Sequence, residues 1–229
     1  MAAGSGVRMG GEKPKQFIEI EGVPILRRTL EKFIDAVPGI KVITVLPHDW
    51  MESWRSYCLK YGFILPQTLV EGGITRFHSV RNALERVPDN AVVAIHDGVR
   101  PLISIGMIKR LFEQMDSLNG SRDGLVPVVP VVDTLKCLEE GPDGNKYVQG
   151  EVDRSKIFCA QTPQIFLSER IRKAYTQPYN TTFTDDASVA ECGGLSLEFC
   201  KGEKLNIKIT TPEDLFIANA VIRDELHRT

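Results

Sequence analysis

Long apolar runs, an excess of one charge and paired cysteines are all missing from this chain, and each absence removes a class of protein. No hydrophobic stretch in its 229 residues approaches the roughly 20 needed to span a bilayer, and the N-terminus lacks the basic-then-apolar order of a secretory signal. A soluble, cytoplasmic protein with no membrane attachment is expected. The formal net charge is only −2, so no overall field draws the chain to nucleic acid, and any anion site must be built locally. Cys58, Cys137, Cys159, Cys192 and Cys200 are odd in number, scattered and without a C-x-x-C pair. That pattern excludes a disulfide framework and a zinc site and fits a reducing compartment. Internal repeats and low-complexity linkers are also absent. With 42% hydrophobic and 25% charged residues, the chain has an ordinary globular composition and suits one α/β domain over residues 1–229.

The densest chemistry lies at the start, in Ala2-Ala3-Gly4-Ser5-Gly6-Val7-Arg8-Met9-Gly10-Gly11-Glu12-Lys13-Pro14-Lys15-Gln16. The glycines, Gly4 and Gly6 among them, let backbone N–H groups close on an anion without interference from Cβ, while Arg8 and Lys15 add two full positive charges. This is equipment for holding polyphosphate. Met9 stands where a dinucleotide fingerprint requires Gly or Ala, and no G-x4-G-K-[ST] can be read, so two familiar phosphate loops are excluded. A flexible glycine-rich terminus is the structural alternative, against which Arg8, Pro14 and Lys15 weigh.

Short β-rich runs alternate with amphipathic stretches, the pattern of parallel strands joined by crossover helices. Strands are predicted at Val42–Leu46, Thr68–Val70, Ala91–Ile95 and Leu125–Val129. Helices are predicted from Ile25 after Pro24, through Trp50, Trp54 and Tyr57, over Thr75–Arg86, and from a Ser104 N-cap to about Met115. The aromatic stripe reads as core packing. After Val129 the rhythm changes to a β-hairpin arm at about 131–153, with its turn at 141–145. Such an arm has little core of its own, and packing on a second subunit is the remedy. Phe158–Ala160, a helix from Ser168, a helix after Thr184, a strand at Leu195–Phe199 and a helix from Pro212 complete the chain. One anomaly stands out. Phosphate loops in open α/β sheets follow a strand of about five residues, yet only Met1-Ala2-Ala3 precede the first glycine. The first strand is expected to be clipped, either unusually short or severed from residues upstream of Met1.

Ala91–Ile95 runs into His96-Asp97-Gly98-Val99-Arg100-Pro101. Ligands bind beyond the carboxyl ends of such strands, and Asp97 offers the hard oxygen that Mg²⁺ takes alongside phosphate and water. An Asp–Arg ion pair over a packed His96 is the structural alternative. His96 has no second histidine at ligand spacing and is assigned an orienting, hydrogen-bonded role. Glu71-Gly72-Gly73-Ile74-Thr75-Arg76-Phe77-His78-Ser79-Val80 is a strand-to-helix turn that can present backbone and hydroxyl groups to a base or sugar, or is a plain βα connection. Arg154 and Lys208 are candidates for a second phosphate, and Thr184 for a helix cap.

Taken in order, these blocks resemble the 2-C-methyl-D-erythritol 4-phosphate cytidylyltransferases of the non-mevalonate isoprenoid pathway, over nearly the whole chain. The blocks are A-A-G-x-G-x-R-M with P-K-Q (Ala2 to Gln16), G-G-x-x-R-x-x-S-V (Gly72 to Val80), H-D-x-x-R-P (His96 to Pro101) and D-T-[LM]-K (Asp133 to Lys136). They continue with D-R before T-P-Q (Asp153-Arg154, Thr162 to Gln164), T-D-[DE]-A-S (Thr184 to Ser188) and N-I-K-[IV]-T-x-P-E-D-L (Asn206 to Leu215). The resemblance implies a doubly wound, mostly parallel, Rossmann-like nucleotidyltransferase sheet and a homodimer built through the arm. It implies Arg8, Lys15 and Lys208 as catalytic cations, and Asp97 as the Mg²⁺-linked acid. It implies Ala2, Ala3, Gly4, Gly6, Gly73, Ser79 and Arg100 near the nucleotide, and Thr134, Arg154, Thr184 and Lys208 near the acceptor phosphate, some reaching across the dimer.

The reaction so implied joins CTP to methylerythritol 4-phosphate with release of pyrophosphate. Ribitol 5-phosphate is the competing acceptor, and Thr184 to Ser188 looks more like the methylerythritol group. A non-catalytic nucleotide-binding module is opposed by the retained Arg8, Lys15 and Asp97. A glycosyltransferase is opposed by the lack of an Asp-x-Asp after a strand.

Overall fold

In the computed structural model, which describes residues 1–4, 13–142 and 144–228 and only the backbone at 149 and 228, the chain alternates strands and helices as its periodicity predicts. A small hairpin, β1 (Glu19–Ile20) and β2 (Val23–Pro24), leads into α1 (Ile25–Ala36). Then follow β3 (Val42–Leu46), α2 (His48–Lys60), β4 (Gln67–Glu71), α3 (Arg76–Leu84), β5 (Val92–Ile95), α4 (Ile105–Ser117) and β6 (Gly124–Pro130). The arm is β7 (Cys137–Glu140) and β8 (Lys146–Gly150), shorter than the hairpin predicted. After it come β9 (Phe158–Ala160), β10 (Gln164–Leu167), α5 (Ser168–Ala174), α6 (Asp186–Cys192), β11 (Leu197–Lys201) and α7 (Pro212–Arg228).

Local chemistry explains the helix starts. Pro24 precedes α1 as its N-cap residue rather than lying in its first turn. Ser104 Oγ accepts from Met107 N–H as the predicted cap of α4, and Thr75 Oγ1 accepts from His78 N–H at the head of α3. The cap of α6 is Asp185, not Thr184. Its carboxylate accepts from Ser188 N–H at 2.8 Å, while Ser188 Oγ accepts from Asp185 N–H at 3.2 Å, a reciprocal capping box.

The central sheet runs β11-β6-β10-β5, with β9 also on β6; β11 lies parallel to β6, and β10 runs antiparallel to both β6 and β5. The sheet is therefore mixed: β5, β6 and β11 share one direction, and β10 is an opposed strand that the periodicity did not predict. β3 and β4 form a parallel pair whose carboxyl ends, Leu46 and Glu71, lie side by side. Alternation along β5 sends Val92 and Ala94 into a core with Phe33, Ile108 and Leu111, and Val93 and Ile95 into another with Val80, Leu84 and Tyr175. Helices thus cover both faces, as a doubly wound sheet requires. Trp54, 1% exposed, anchors a further cluster with Phe17 and Leu46.

The arm carries no such core. Every residue of β7 is exposed, as are Tyr147 and Val148 on β8. Among the described residues no helix is long and apolar enough to cross a membrane.

Phe166, fully buried at the centre of β10, tests how much the opposed strand matters. Phe166→Ala is expected to lower unfolding free energy by about 3–5 kcal/mol in urea titrations. A loss under ~1 kcal/mol would mean that β10 contributes no core of consequence.

Candidate active site at the strand ends

Met1 to Ala3 lie where the carboxyl ends of β3 and β5 meet. The Met1 ammonium donates to His96 O at 2.6 Å, Gly98 N–H donates to Met1 O at 2.8 Å, and Ala2 N–H donates to Val45 O at 2.9 Å. Gln16, 1% exposed, donates from Nε2 to Ala2 O at 2.7 Å and to Gly4 O at 3.3 Å. Both ends of the glycine-rich loop are thereby clamped together. Gly72 is required by close approach, since a Cβ there would stand 2.3 Å from Ala3 Cβ. Ser79 Oγ accepts from Gly73 N–H at 3.0 Å and donates to Thr75 O at 2.9 Å, which fixes the turn before α3.

These elements surround a pocket of about 500 Å³ lined by Ala2, Ala3, Gly4, Lys15, Gly73, Thr75, Arg76, Ser79, Asp97 and Lys208 among others. The size suits a small-molecule site. At its floor Asp97, 6% exposed, meets three cations from different parts of the chain. Arg100 Nε and Lys208 Nζ lie 3.1 and 3.2 Å from Oδ2, and Arg76 Nε lies 3.9 Å from Oδ1. Burial alone would raise this carboxyl's pKa, but Lys208, Arg76 and Arg100 outweigh it and hold the group well below the usual carboxylate range. Asp97 is ionised wherever the protein is folded at ordinary pH.

Arg76 is held in turn by Asp186, a fully buried carboxylate that accepts from Nη1 at 2.7 Å and Nη2 at 2.5 Å and also from Tyr175 Oη at 2.6 Å. Burial would lower the Arg76 pKa, and Asp186 reverses this and raises it. Around the floor, among the described residues, three cations face two carboxylates, so one positive charge is in excess. An anion is the matching ligand.

His96, below the floor, is hydrogen-bonded as predicted: Nδ1 lies 3.1 Å from Thr162 Oγ1, which accepts from Asp97 N–H at 3.0 Å. Its ring packs against Phe33, and its Nε2 is buried with no partner among the described residues. Burial pulls the imidazole pKa down to about 3.

Of the residues singled out from sequence, Ala2, Ala3, Gly4, Lys15, Gly73, Ser79, Asp97 and Lys208 are brought to one pocket. Arg100 lies beneath it, donating from Nη1 to Asn206 O at 2.7 Å. Arg8 and Gly6 lie outside the described residues. Thr134, Arg154 and Thr184 are exposed and do not line the pocket; Arg154 Nη1 donates instead to Val132 O at 2.7 Å. Sequence reasoning did not single out Gln16, Arg76, Tyr175 or Asp186 for the site. Arg76 and Asp186 sat inside quoted motifs, and their partnership across 110 positions has no local signature.

A family profile described as "IspD: 2-C-methyl-D-erythritol 4-phosphate cytidylyltransferase" matches residues 1–224. The chain is similar to the 2-C-methyl-D-erythritol 4-phosphate cytidylyltransferase of Bacteroides fragilis, at 41% identity over 97% of each chain. It is 43% identical to that of Porphyromonas gingivalis, over 97% of this chain and 95% of the other. The crystal structure of the Francisella tularensis protein of that name superposes with a TM-score of 0.75 and 32% identity, over 96% of this chain and 95% of the other.

Two outcomes test the pocket's electrostatics. Asp186→Asn leaves the Arg76 guanidinium with a weaker partner and is expected to cost about 3 kcal/mol or more in denaturant titrations; a cost within ~0.5 kcal/mol would remove the pair from the frame. For His96, the folded protein binds fewer protons than the unfolded chain between about 3 and 6.5. Stability therefore rises with pH through that window and is lost as pH falls through it. His96→Asn should flatten the rise in denaturation midpoint. An unchanged slope would place the acid sensitivity elsewhere.

Proposed function

Because the chain belongs to the 2-C-methyl-D-erythritol 4-phosphate cytidylyltransferase family, we propose that it does that family's chemistry through the cations gathered around Asp97. The enzyme is a nucleotidyltransferase of isoprenoid biosynthesis that transfers CMP from CTP to 2-C-methyl-D-erythritol 4-phosphate, giving 4-diphosphocytidyl-2-C-methyl-D-erythritol and pyrophosphate. The acceptor's phosphate oxygen attacks the α-phosphorus in line, and the bond to the β,γ-diphosphate breaks. A phosphate monoester with a second pKa of about 6 is already largely dianionic at neutral pH, so no general base is needed. Positioning and charge neutralisation are what the protein must supply.

The observation that carries this reading is the excess of positive charge around a buried, ionised Asp97 at a rim that also holds Lys15. In it, Lys15 and Arg8 bind the triphosphate and the leaving pyrophosphate, and Lys208 faces the reacting phosphates. Ala2, Ala3, Gly4, Gly6, Gly73 and Ser79 surround the nucleotide, with Arg100 bracing Asp97 from below. Arg76 belongs with these cations, oriented by Asp186.

Mg²⁺ fits the same place. Mg²⁺ usually keeps one or two protein carboxylates and completes its shell with phosphate and water, and Asp97 is the carboxylate that would hold it. Asp97 is ionised, and among the described residues its Oδ1 carries the long 3.9 Å ion pair to Arg76. When bound there, Mg²⁺ would neutralise phosphate charge.

The single domain with its arm, the homodimer and a cytoplasmic location are parts of the same reading. Exposed Leu138, Tyr147 and Val148 give the arm an apolar surface that a second copy would cover. Thr134, Arg154 and Thr184 then serve the acceptor, some from the partner's side. Free cysteines throughout the chain accord with a reducing compartment.

Lys15→Ala is expected to lower kcat by about 10²–10³, the scale of losing one preorganised donor, and near-normal turnover would remove the lysine from the mechanism. Pyrophosphate release should be fast with methylerythritol phosphate and slow with ribitol 5-phosphate; the reverse order would overturn the acceptor. Leu138→Asp combined with Val148→Asp should give a monomer by sedimentation, whereas an unchanged dimer would acquit the arm.

A further inference from the structure

A planar fork in the pocket wall is aimed from behind. Arg76 opens α3 and lines the pocket, with 28% of its side chain accessible. Asp186 takes one N–H from each of its Nη atoms, at 2.7 and 2.5 Å. The Nε–H lies 3.9 Å from Asp97 Oδ1, beyond hydrogen-bond distance. Nε–H and the second N–H of each Nη thus have no acceptor in reach among the described residues, and a ligand in the pocket can use them.

The backbone that carries Asp186 is tied to the sheet. Asp186 is the first residue of α6, whose head is closed by the Asp185–Ser188 capping box. Gln164, 1% exposed on β10, braces the same head: Oε1 accepts from Ala187 N–H at 2.7 Å, and Nε2 donates to Asp185 Oδ2 at 2.7 Å. Gln164 stands opposite Ile95, the residue of β5 that precedes His96 and Asp97. One strand pair therefore delivers Asp97 and supports the helix that holds Asp186. These contacts fix the backbone at 186 but leave its carboxylate free to turn about its own bonds. Arg76 does not prevent this, because a fork and its carboxylate can pivot together.

Tyr175 supplies the remaining constraint. Its hydroxyl donates at 2.6 Å to Asp186 Oδ1, the oxygen that also accepts from Arg76 Nη1. The residue follows α5, is 1% exposed, and stacks on Phe77 with ring centroids 4.8 Å apart and planes inclined by 27°. Phe77 is the neighbour of Arg76 in α3. The ring thus holds the helix that bears Arg76, while the hydroxyl holds the carboxylate that orients it. Phenylalanine would serve for the packing alone. Burial and then the Asp186 charge push the tyrosine pKa well above its ordinary value, so the hydroxyl stays a donor.

We infer that Tyr175 is a positioning residue of the pocket: by pinning Asp186 it fixes the plane of the Arg76 guanidinium, so that the uncommitted N–H groups meet phosphate oxygens. Tyr175 itself does not line the pocket. The kinetic consequence rests on the cytidylyltransferase reading, whereas the fixed guanidinium does not.

Tyr175→Phe keeps the ring and removes only the hydroxyl. It is expected to lower kcat about tenfold with KM for CTP within about twofold, the split expected when a donor is misplaced chiefly in the transition state. Arg76→Lys keeps a charge beside Asp186 but has no fork to aim, and in that background Tyr175→Phe should cost less than about twofold in kcat. Equal losses in both backgrounds would show the hydroxyl acting elsewhere and overturn the inference, as would an unchanged kcat in the single variant. Arginine side-chain NMR reads the same effect without substrate. The Arg76 Nη hydrogens, identified by their loss in Arg76→Lys, should give separate signals in the parent chain and merged ones in Tyr175→Phe. Separate signals in both, or merged signals in both, would overturn the inference. A parent chain that shows this NMR change without turning over CTP would refute the cytidylyltransferase reading and leave the positioning role standing.

Discussion

The arrangement depends on keeping a carboxylate charged while it is buried. Moving Asp97 out of water carries a penalty of several kcal/mol, and no single partner offsets it. Arg100 comes from its own strand exit, Arg76 from the head of α3 and Lys208 from the segment before α7. Two other parts of the chain are thereby drawn to the carboxyl end of β5. Lys208 is the most exposed of the three, with 40% of its side chain accessible.

A second carboxylate makes this workable. If Arg76 depended on Asp97 alone, its long contact would leave it poorly fixed; Asp186 holds it with two short hydrogen bonds, and Tyr175 holds Asp186. The N-terminal segment is fixed by a different device, backbone pairing to β3 and β5 plus the buried Gln16 amide. The pocket is thus rigid on the side where charges meet. A loop that binds polyphosphate through its backbone needs such an anchor, because misplacement of a donor by about an ångström costs roughly a hundredfold in rate.

The arm obeys other rules. Its strands pair with each other and bury almost nothing, and its apolar side chains face outward. A two-stranded hairpin of this kind is marginal by itself. Thr134 and Arg154, which flank it, are exposed and do not line the pocket within one chain.

Local pattern was enough for much of the fold. Val42–Leu46 and Phe158–Ala160 coincide with β3 and β9, and Ser104 caps α4, because β-branched runs and capping side chains act on their own neighbours. The opposed direction of β10 was not legible: Gln164–Leu167 is too short for a period to show, and a strand's direction is set by its partners. Asp186 stood in the sequence only as one letter of the T-D-[DE]-A-S block, and its partner Arg76 lies 110 positions away. Sequence alone determined which residue types could bind phosphate and which segments would be strands or helices, since these are properties of short range. The Asp97–Arg100 pair, three positions apart, was legible as well. Only the tertiary structure decided that Arg76 meets Asp186 and Lys208 meets Asp97, because those groups lie more than a hundred positions apart and have no local signature until folding removes the water between them.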